Sequence, residues 1–481
     1  MRDGALTDRM EGTARDAGGV LGRWHLAPPS LVPCFFGFAF MRAYNDLIGR
    51  RFSEASLGAQ WAGEDLYSLV MLAVFLLCAL FARRIAPLYK RHSAWAAAML
   101  LAVAGAMLVS AAPAAAVPWP WLALAMAASA VAGALFILLW AELHACLDPL
   151  GIVTYVSGAF LLGTVGAWAL QEVSGVREAL VLAALPLASA GCLRASFARI
   201  APVDLPRSSW GRYDFPWRLI VVLGVYEFAY GVREAAPSFQ WDAYPLGVVL
   251  VALAVFLMAC FFLKRTDFSL VYRTPFPLMI CGLATVSFTA SLGAFLSDTL
   301  VSAGYALMFL VLTFLLCDLS HRYGVSVLVL CGVQELTAVF RLAGHQVPSL
   351  SDSLSLFGME GTAAVSALLT VMVVLVSGLL FWGRSSSTPW GAAFFGVGAM
   401  ARESDERREI VARCAHVAEA HGLSAREREV LELVALGRTP MQIERELVIA
   451  NGTLKSHMQR IYQKLGIHSK RELRAMVGAG E

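Results

Sequence analysis

Residues 423–477 read LSAREREVLELVALGRTPMQIERELVIANGTLKSHMQRIYQKLGIHSKRELRAMV. An S/T-x-x-E/Q capping box, in which two side chains bond reciprocally to backbone N–H groups, marks a helix start, and it occurs here three times. The pairs are Ser424 with Glu427, Thr439 with Gln442, and Ser469 with Glu472. Pro440 suits a first helical position, and Gly437 and Gly466 stand where helices end. The stretch therefore predicts a bundle of four short helices.

The third of these helices is predicted to have two distinct faces. Its inward face carries apolar residues at helical spacing, namely Leu454, Met458, Ile461 and Leu465. Its outward face carries Lys455, Ser456, Gln459 and Gln463. Lys455 can donate to guanine O6 and N7, Gln459 can pair with adenine N6 and N7, and Ser456 can bond to either base. Nearby cations for phosphate contacts are Arg460, Lys464, Lys470 and Arg471. This pattern predicts a helix that reads the major groove of DNA.

The same residues resemble a known family. The opening LSAREREVLELVALGRT, the apolar spacing of Ile443, Leu447 and Ile449, the TLKSH at 453–457 and the ending at 461–467 resemble the LuxR-type (GerE-like) helix-turn-helix of bacterial transcription regulators. The resemblance covers residues 423–477 of 481. It implies base contacts by Lys455, Ser456 and Gln459, and backbone contacts by Thr453 and Lys464. The alternative, a small amphipathic bundle for protein contacts, fits the capping boxes but not the polar face.

Two residues depart from the family pattern. Ala450 stands where a Ser commonly caps the recognition helix, so Asn451 is expected to take over as the cap. Glu444 stands where a small Ala usually packs between the two core helices. Either departure is expected to weaken DNA binding.

The composition of the whole chain indicates a membrane protein. It is 58% hydrophobic and 15% charged, with a mean hydropathy of +0.65, whereas soluble domains are roughly 25% charged. The net charge of +3 identifies no partner. No cysteine spacing suggests a metal site, and eight of the 9 cysteines lie in apolar stretches while Cys414 does not. Neither a metal nor a disulfide is expected.

Residues 28–383 are predicted to form a polytopic membrane domain after a polar tail at 1–27. Roughly 20 apolar residues cross the hydrocarbon core, and twelve such stretches can be placed. Their approximate centres are Ala39, Ala73, Leu101, Ala130, Leu161, Leu187, Val225, Phe256, Ala284, Leu307, Val333 and Val371. Thirteen loop Lys and Arg residues fall on one side of these spans and five on the other. The positive-inside rule then places both termini in the cytoplasm, at the cell (inner) membrane.

The span list divides at residues 200–217, a proline-rich cytoplasmic loop between halves 28–199 and 218–383. Two pseudo-symmetric halves of six spans resemble the architecture of the major facilitator superfamily, in which the substrate lies between the halves. That family carries a Gly- and Asp-containing signature in the loop between the second and third spans. Here the loop at 81–93 reads FARRIAPLYKRHS and has neither residue, so proton-coupled transport is disfavoured.

Ionisable residues inside spans are candidates for a ligand site. The candidates here are Arg42, Asp46, Glu227 and Glu335. If the halves pack symmetrically, Arg42 and Glu227 face one cavity. The alternative is a structural ion pair or side chains that extend to the interface. Three others are expected at the membrane interface: Asp65, Glu142 and His144.

Residues 384–422 are predicted to be a small-residue linker followed by an amphipathic helix. Ile410, Cys414 and Val417 recur there at helical spacing. This stripe either packs on the DNA-binding bundle or pairs with a second copy of the chain.

The expected fold is all-α: a twelve-helix transmembrane bundle followed by a four-helix LuxR-type domain at 423–481. No catalytic motif, cofactor motif or receiver domain is visible, so no enzymatic activity is expected. The predicted function is a membrane-bound one-component transcription regulator whose membrane domain is a sensor or an anchor. The alternative is a major-facilitator-like transporter that carries a regulatory DNA-binding domain. The expected partners are double-stranded DNA, the lipid bilayer, a small-molecule or membrane signal, and a second copy of the chain.

Overall fold

The chain divides into two compact units in the computed structural model. The N-terminal unit comprises residues 1–208 and 220–382, and the C-terminal unit comprises residues 209–219 and 383–481. Within these units the structure describes residues 31–55, 63–110, 119–201, 204–206, 216–236, 239, 243–262, 274–285, 291–347, 365, 367–375, 398–447 and 449–477. The predicted tail at 1–27 and the linker at 384–397 lie outside the described residues, as does most of the predicted loop at 200–217.

The described residues of the N-terminal unit are helical, as the sequence predicts. The helices are α1 (Phe38–Ala55), α2 (Gly63–Leu80), α3 (His92–Ser110), α4 (Trp119–His144), α5 (Pro149–Leu170), α6 (Val176–Phe197), α7 (Trp217–Glu234), α8 (Ala243–Leu257), α9 (Pro275–Thr285), α10 (Ser291–Tyr323), α11 (Val327–Glu335) and α12 (Ala338–His345). A π-helical turn, Met258–Phe262, continues α8, and short helical turns lie at Pro33–Phe36, Ala82–Ile85 and Leu88–Lys90. Residues 367–375 are also helical.

Each of the twelve predicted span centres lies in helical residues. Among the described residues, however, 7 helices are both long and apolar enough to cross a membrane. They are His92–Ser110, Trp119–His144, Pro149–Leu170, Val176–Phe197, Ala243–Phe261, Gly293–Tyr323 and Val327–His345. Two shorter apolar helices, Asp65–Leu80 and Pro275–Thr285, lie beside residues that the structure does not describe. The structure thus supports an all-helical, apolar unit, while the count of twelve stays a prediction.

Helix packing in the N-terminal unit relates its two predicted halves. Helix α2 packs on α11, and α5 packs on α8. If each helix number is advanced by six within a cycle of twelve, α2 becomes α8 and α5 becomes α11. The contact between α2 and α11 then becomes the contact between α8 and α5, and the reverse. Two similar halves of six spans predict an exchange of this kind.

The C-terminal unit is a bundle of five helices. They are α13 (Gly398–Ala420), α14 (Ala425–Ala435), α15 (Pro440–Leu447), α16 (Asn451–Leu465) and α17 (Lys470–Met476). The core cluster that joins α13 to the other helices draws all of its members from residues 410–477. The bundle therefore buries an apolar core of its own.

The predicted helix starts and ends in this unit are confirmed. Ser424 and Glu427 bond reciprocally as a capping box, and Thr439 and Gln442 do the same at 2.9 and 3.4 Å. The hydroxyl of Ser469 accepts a hydrogen bond from the Glu472 N–H at 3.1 Å. At the helix ends, glycines 437 and 466 have φ angles of 78° and 67°, which a residue with a Cβ adopts only with strain.

Candidate nucleic-acid interface

Helix α16 presents the polar face that the sequence predicts. Leu454 and Ile461 are buried in the bundle core, and Met458 packs against it. The opposite face is exposed and carries Thr453, Lys455, Ser456, Gln459, Arg460 and Gln463. The prediction of an apolar inward face and a polar outward face is confirmed. Contact of the outward face with DNA stays a prediction.

The start of α16 differs from the expectation. Ala450 is the residue before the helix and forms no side-chain cap. The prediction that Asn451 replaces the cap is wrong, because the Asn451 amide instead donates to the Glu444 carboxylate at 2.5 Å. One of the two departures from the family pattern, Glu444, thus forms a hydrogen bond that joins α15 to α16 across the turn.

Two of the cations predicted to contact phosphates also hold the bundle together. The Lys464 Nζ donates to the Glu427 carboxylate at 2.7 Å and to the Gly422 carbonyl at 3.0 Å. The Lys470 Nζ donates to the Arg438 carbonyl at 3.1 Å. Both amines already have hydrogen-bond partners in the fold. To contact a phosphate, each amine must therefore either keep these partners and bind the phosphate as well, or give up a partner for the phosphate.

The Glu427 carboxylate is almost entirely enclosed, with 3% of the residue exposed. The hydrogen bond from Lys464 and then the one from the Ser424 N–H lower its pKa from the usual value. A group with a lowered folded-state pKa stabilises the fold fully above its unfolded-state pKa and loses that contribution as the pH falls through the folded-state pKa. The bundle is therefore expected to lose stability at acid pH, as the Glu427 carboxylate becomes protonated.

We expect Glu427→Gln to destabilise a fragment of residues 398–481 by about 1.5–3 kcal/mol at pH 7, because hydrogen bonds to a charged group are lost. The difference from the wild type should shrink as the pH falls below about 4.3, the usual pKa of a glutamate. Urea unfolding at pH 3 to 7 measures it. Glu419→Gln, at an exposed position of α13, is the matched control. A difference that is independent of pH would contradict the assignment.

Helix α13 carries the apolar stripe of the predicted amphipathic helix. Cys414 is fully buried in the core of the bundle, and Ile410 and Val417 pack against the same core. Burial raises the pKa of the Cys414 thiol to about 11. Of the two alternatives left open by the sequence, packing on the bundle is the one observed. The stripe is covered within a single chain.

A compact helical bundle in which a tight turn precedes an exposed, polar second helix is a helix-turn-helix DNA-binding domain. The family model described as "GerE: Bacterial regulatory proteins, luxR family" matches residues 421–477. The C-terminal segment is therefore a LuxR-type helix-turn-helix domain, as its resemblance to that family implies.

Similar proteins are described as transcriptional regulators. The chain is 48% identical over 62 residues to the "Probable transcriptional regulatory protein NarL" of Mycobacterium tuberculosis, which is 13% of this chain and 28% of that protein. It is 43% identical over 54 residues to the "Transcriptional regulatory protein DesR" of Bacillus subtilis, which is 11% of this chain and 27% of that protein. The chain thus spans less than a third of the length of these relatives, and the similarity concerns the DNA-binding domain.

The N-terminal unit contains a cavity of about 300 Å³. Of the four candidate ligand residues, Glu227 and Glu335 line it, whereas Arg42 and Asp46 are not among its lining residues. Arg42 forms an ion pair with Asp46 at 3.0 Å and donates to the Tyr244 hydroxyl at 2.7 Å. Arg42 and Glu227 are therefore not paired with each other, and each has partners of its own.

A charged network borders the cavity beside Glu227. The Arg341 guanidinium lies 4.0 Å from the Glu227 carboxylate and 3.8 Å from that of Glu234. The His345 ring bonds to Asp65 at 2.7 Å and to Glu234 at 3.0 Å. None of Arg341, Glu234 and His345 was predicted as a site residue. The i, i+4 spacing of Arg341 and His345, which places both side chains on one face of a helix, was the available signal.

The three residues expected at the membrane interface are all enclosed or bonded within the protein. Glu142 is 2% exposed, and its carboxylate accepts hydrogen bonds from the Leu88 and Tyr89 N–H groups at 2.6 and 2.8 Å. His144 is also 2% exposed. Glu142 thus anchors the connection between α2 and α3, while Asp65 belongs to the charged network.

Proposed function

We propose that this protein is a membrane-bound one-component transcription regulator. The observation that supports it most directly is a LuxR-type domain with an exposed Lys455, Ser456 and Gln459 face, on the same chain as seven apolar helices. The names of the relatives, which describe transcriptional regulators, agree with it. A regulator of this kind receives its signal and binds its operator with one chain.

The proposed topology has twelve spans with both termini in the cytoplasm. The exchange of the α2–α11 and α5–α8 contacts under a shift of six helices supports two halves of six. The asymmetry of loop Lys and Arg residues supports the cytoplasmic placement of the C-terminal unit. DNA is then within reach of α16, while the N-terminal unit stays in the bilayer.

Signal transfer in this proposal is a change in the packing of the two halves. A ligand shifts such an equilibrium only by its difference in affinity for the two arrangements. The cavity is lined by residues of both predicted halves, such as Tyr67 and Tyr305, so its occupation would differ between the arrangements. The N-terminal unit would then act as a sensor rather than only as an anchor.

We expect a Lys455→Ala/Gln459→Ala variant to lose specific promoter recovery. Each bidentate contact between a side chain and a base contributes about 1–3 kcal/mol of discrimination, so recovery should fall at least tenfold. The measurement is sequencing of DNA fragments that are retained by the full-length protein in isolated membranes.

The matched control is Met441→Ala/Glu419→Ala, which alters exposed residues of α15 and α13 and leaves the capping boxes and the polar face of α16 intact. Equal recovery of the same promoters by the wild type and the Lys455→Ala/Gln459→Ala variant would exclude α16 as the DNA-reading element.

A further inference from the structure

The cavity in the N-terminal unit extends along helix α10. Helix α10 lines it from Tyr305 to Cys317, and at the rise of an α-helix these positions lie about 18 Å apart. The Tyr305 hydroxyl donates to the Glu227 carboxylate at 3.3 Å, which places the acidic network at one end. The Cys317 thiol lies 3.8 Å from the Ala141 carbonyl, one helical turn before His144, which places that histidine toward the other end.

Acidic groups outnumber cations at the first end. Four carboxyl groups line or border it, those of Asp65, Glu227, Glu234 and Glu335. The basic side chains that contact them are those of Arg341 and His345. The Glu335 carboxylate lines the cavity and, within the described residues, accepts no hydrogen bond and forms no ion pair, although the charge of Arg341 acts on it. Because an ionised carboxylate away from bulk water requires a partner, this end of the cavity favours a bound cation.

The walls favour an organic cation over a metal ion. The lining is also rich in aromatic side chains, among them Phe38, Phe52, Phe75, Trp140 and Phe309. In the part of the chain that the structure describes, no three His, Cys, Asp or Glu side chains converge as a metal-binding group. Aromatic faces also attract organic cations through their quadrupoles. The volume of about 300 Å³ lies at the lower end of the range for small-molecule sites.

His144 provides an independent indication of a ligand. It lines the cavity, is 98% enclosed by the protein, and its Nε2 atom has no hydrogen-bond partner. Its ring packs against Trp140 and Phe38, with centroids 5.6 and 6.1 Å away. A buried polar atom without a partner costs free energy, and a polar group on a ligand would satisfy it.

We propose that this cavity binds a small organic cation: an amine whose ammonium group lies against Glu335 and Glu227, with an apolar or aromatic body between Trp140 and Phe309. A single substituted ring with an ammonium group fits the acidic end, and a ligand that also bonds to His144 carries a second polar group at the far end of its body. The inference adds to the proposed function the chemical class of the signal. It rests on that function in one respect, which is that the bound ligand acts as a signal.

The test is calorimetric titration of the full-length protein in lipid nanodiscs, with the heat of empty nanodiscs subtracted. The probes are benzylammonium, N,N-dimethylbenzylammonium and benzyltrimethylammonium, compared with neutral benzyl alcohol, anionic phenylacetate, and sodium and magnesium chloride. At least one ammonium probe should bind the wild type tenfold or more tightly than the alcohol or the acid. Glu335→Gln, which keeps the shape of the side chain, should weaken that binding at least tenfold.

The matched control is Glu172→Gln, which removes a carboxylate at an exposed turn outside the cavity and should bind the cation as the wild type does. The melting temperature of ligand-free Glu335→Gln separates loss of the site from loss of the fold. Equal binding of the cation and its neutral analogue, binding that Glu335→Gln leaves unchanged, or binding of the metal ions alone would each overturn the proposal.

The Lys455→Ala/Gln459→Ala variant separates this inference from the proposed function. It should retain cation binding while it loses promoter recovery. Promoter recovery by the wild type without cation binding would refute the ligand class alone. Cation binding without promoter recovery by the wild type would refute the regulator and leave the site.

Discussion

Ile461→Ala is expected to lower the free energy of unfolding of the C-terminal unit by about 2–5 kcal/mol. Ile461 is 0% exposed and lies at the centre of the inward face of α16. It belongs to the cluster that also contains Val430 of α14 and Leu473 of α17. Its truncation removes apolar contacts to those helices and leaves a cavity. A small bundle has little other core to compensate for that loss.

The measurement is urea unfolding of a fragment of residues 398–481, followed by circular dichroism. With a slope of about 1–3 kcal/mol per molar urea, the midpoint should fall by roughly 1 M or more. Met441→Ala is the control, because Met441 is 63% exposed and its truncation removes little packing. If the two variants unfold within about 0.5 kcal/mol of each other, the inward face of α16 does not carry the core.

The features of this unit that sequence reasoning predicted are those determined by local chemistry. A capping box needs two side chains three positions apart, so the pairing of Ser424 with Glu427 follows from their spacing alone. The two faces of α16 follow from helical periodicity, which one sequence displays directly. The location of Ile461 in the core therefore required no tertiary information.

Contacts between helices were not predictable in the same way. Asn451 was expected to cap α16, and its amide instead reaches Glu444 on the preceding helix. Similarly, Lys464 has the positive charge and the exposure expected of a phosphate contact, yet its amine donates to the Glu427 carboxylate. Which partner a polar side chain selects depends on the crossing of two helices, and a single sequence does not specify that crossing.

The same limit applies to the N-terminal unit. Hydropathy predicted helical residues at all twelve span centres. The placement of Arg42 and Glu227 in one cavity, however, rested only on the assumed symmetry of the two halves. The structure pairs Arg42 with Asp46 on its own helix, one turn later. The acidic end of the cavity combines α2, α7 and the consecutive helices α11 and α12, which form three groups that are distant in sequence.

The crossing of α7 with α12 brings the acidic network together, and two glycines permit it. A Cβ atom added to Gly231 would lie 2.3 Å from the Arg341 carbonyl oxygen. One added to Gly344 would lie 2.5 Å from the Phe228 carbonyl oxygen. Small residues allow membrane helices to approach at backbone distance. This approach holds Glu227 and Glu234 of α7 beside the Arg341 side chain of α12.

Gly231→Val is therefore expected to separate α7 from α12 and to destabilise the N-terminal unit by about 3 kcal/mol, the upper end of the usual cost of overpacking. The upper end applies because the obstructing atoms are backbone atoms, which cannot move aside by changing rotamer. The expected result is a lower unfolding temperature for the full-length protein in nanodiscs. The control is Gly191→Val on α6, where an added Cβ atom would meet nothing within 4 Å. Because both changes add the same side chain to a helical glycine, a Gly231→Val protein that unfolds at the temperature of the Gly191→Val protein would show that α7 and α12 are not in backbone contact.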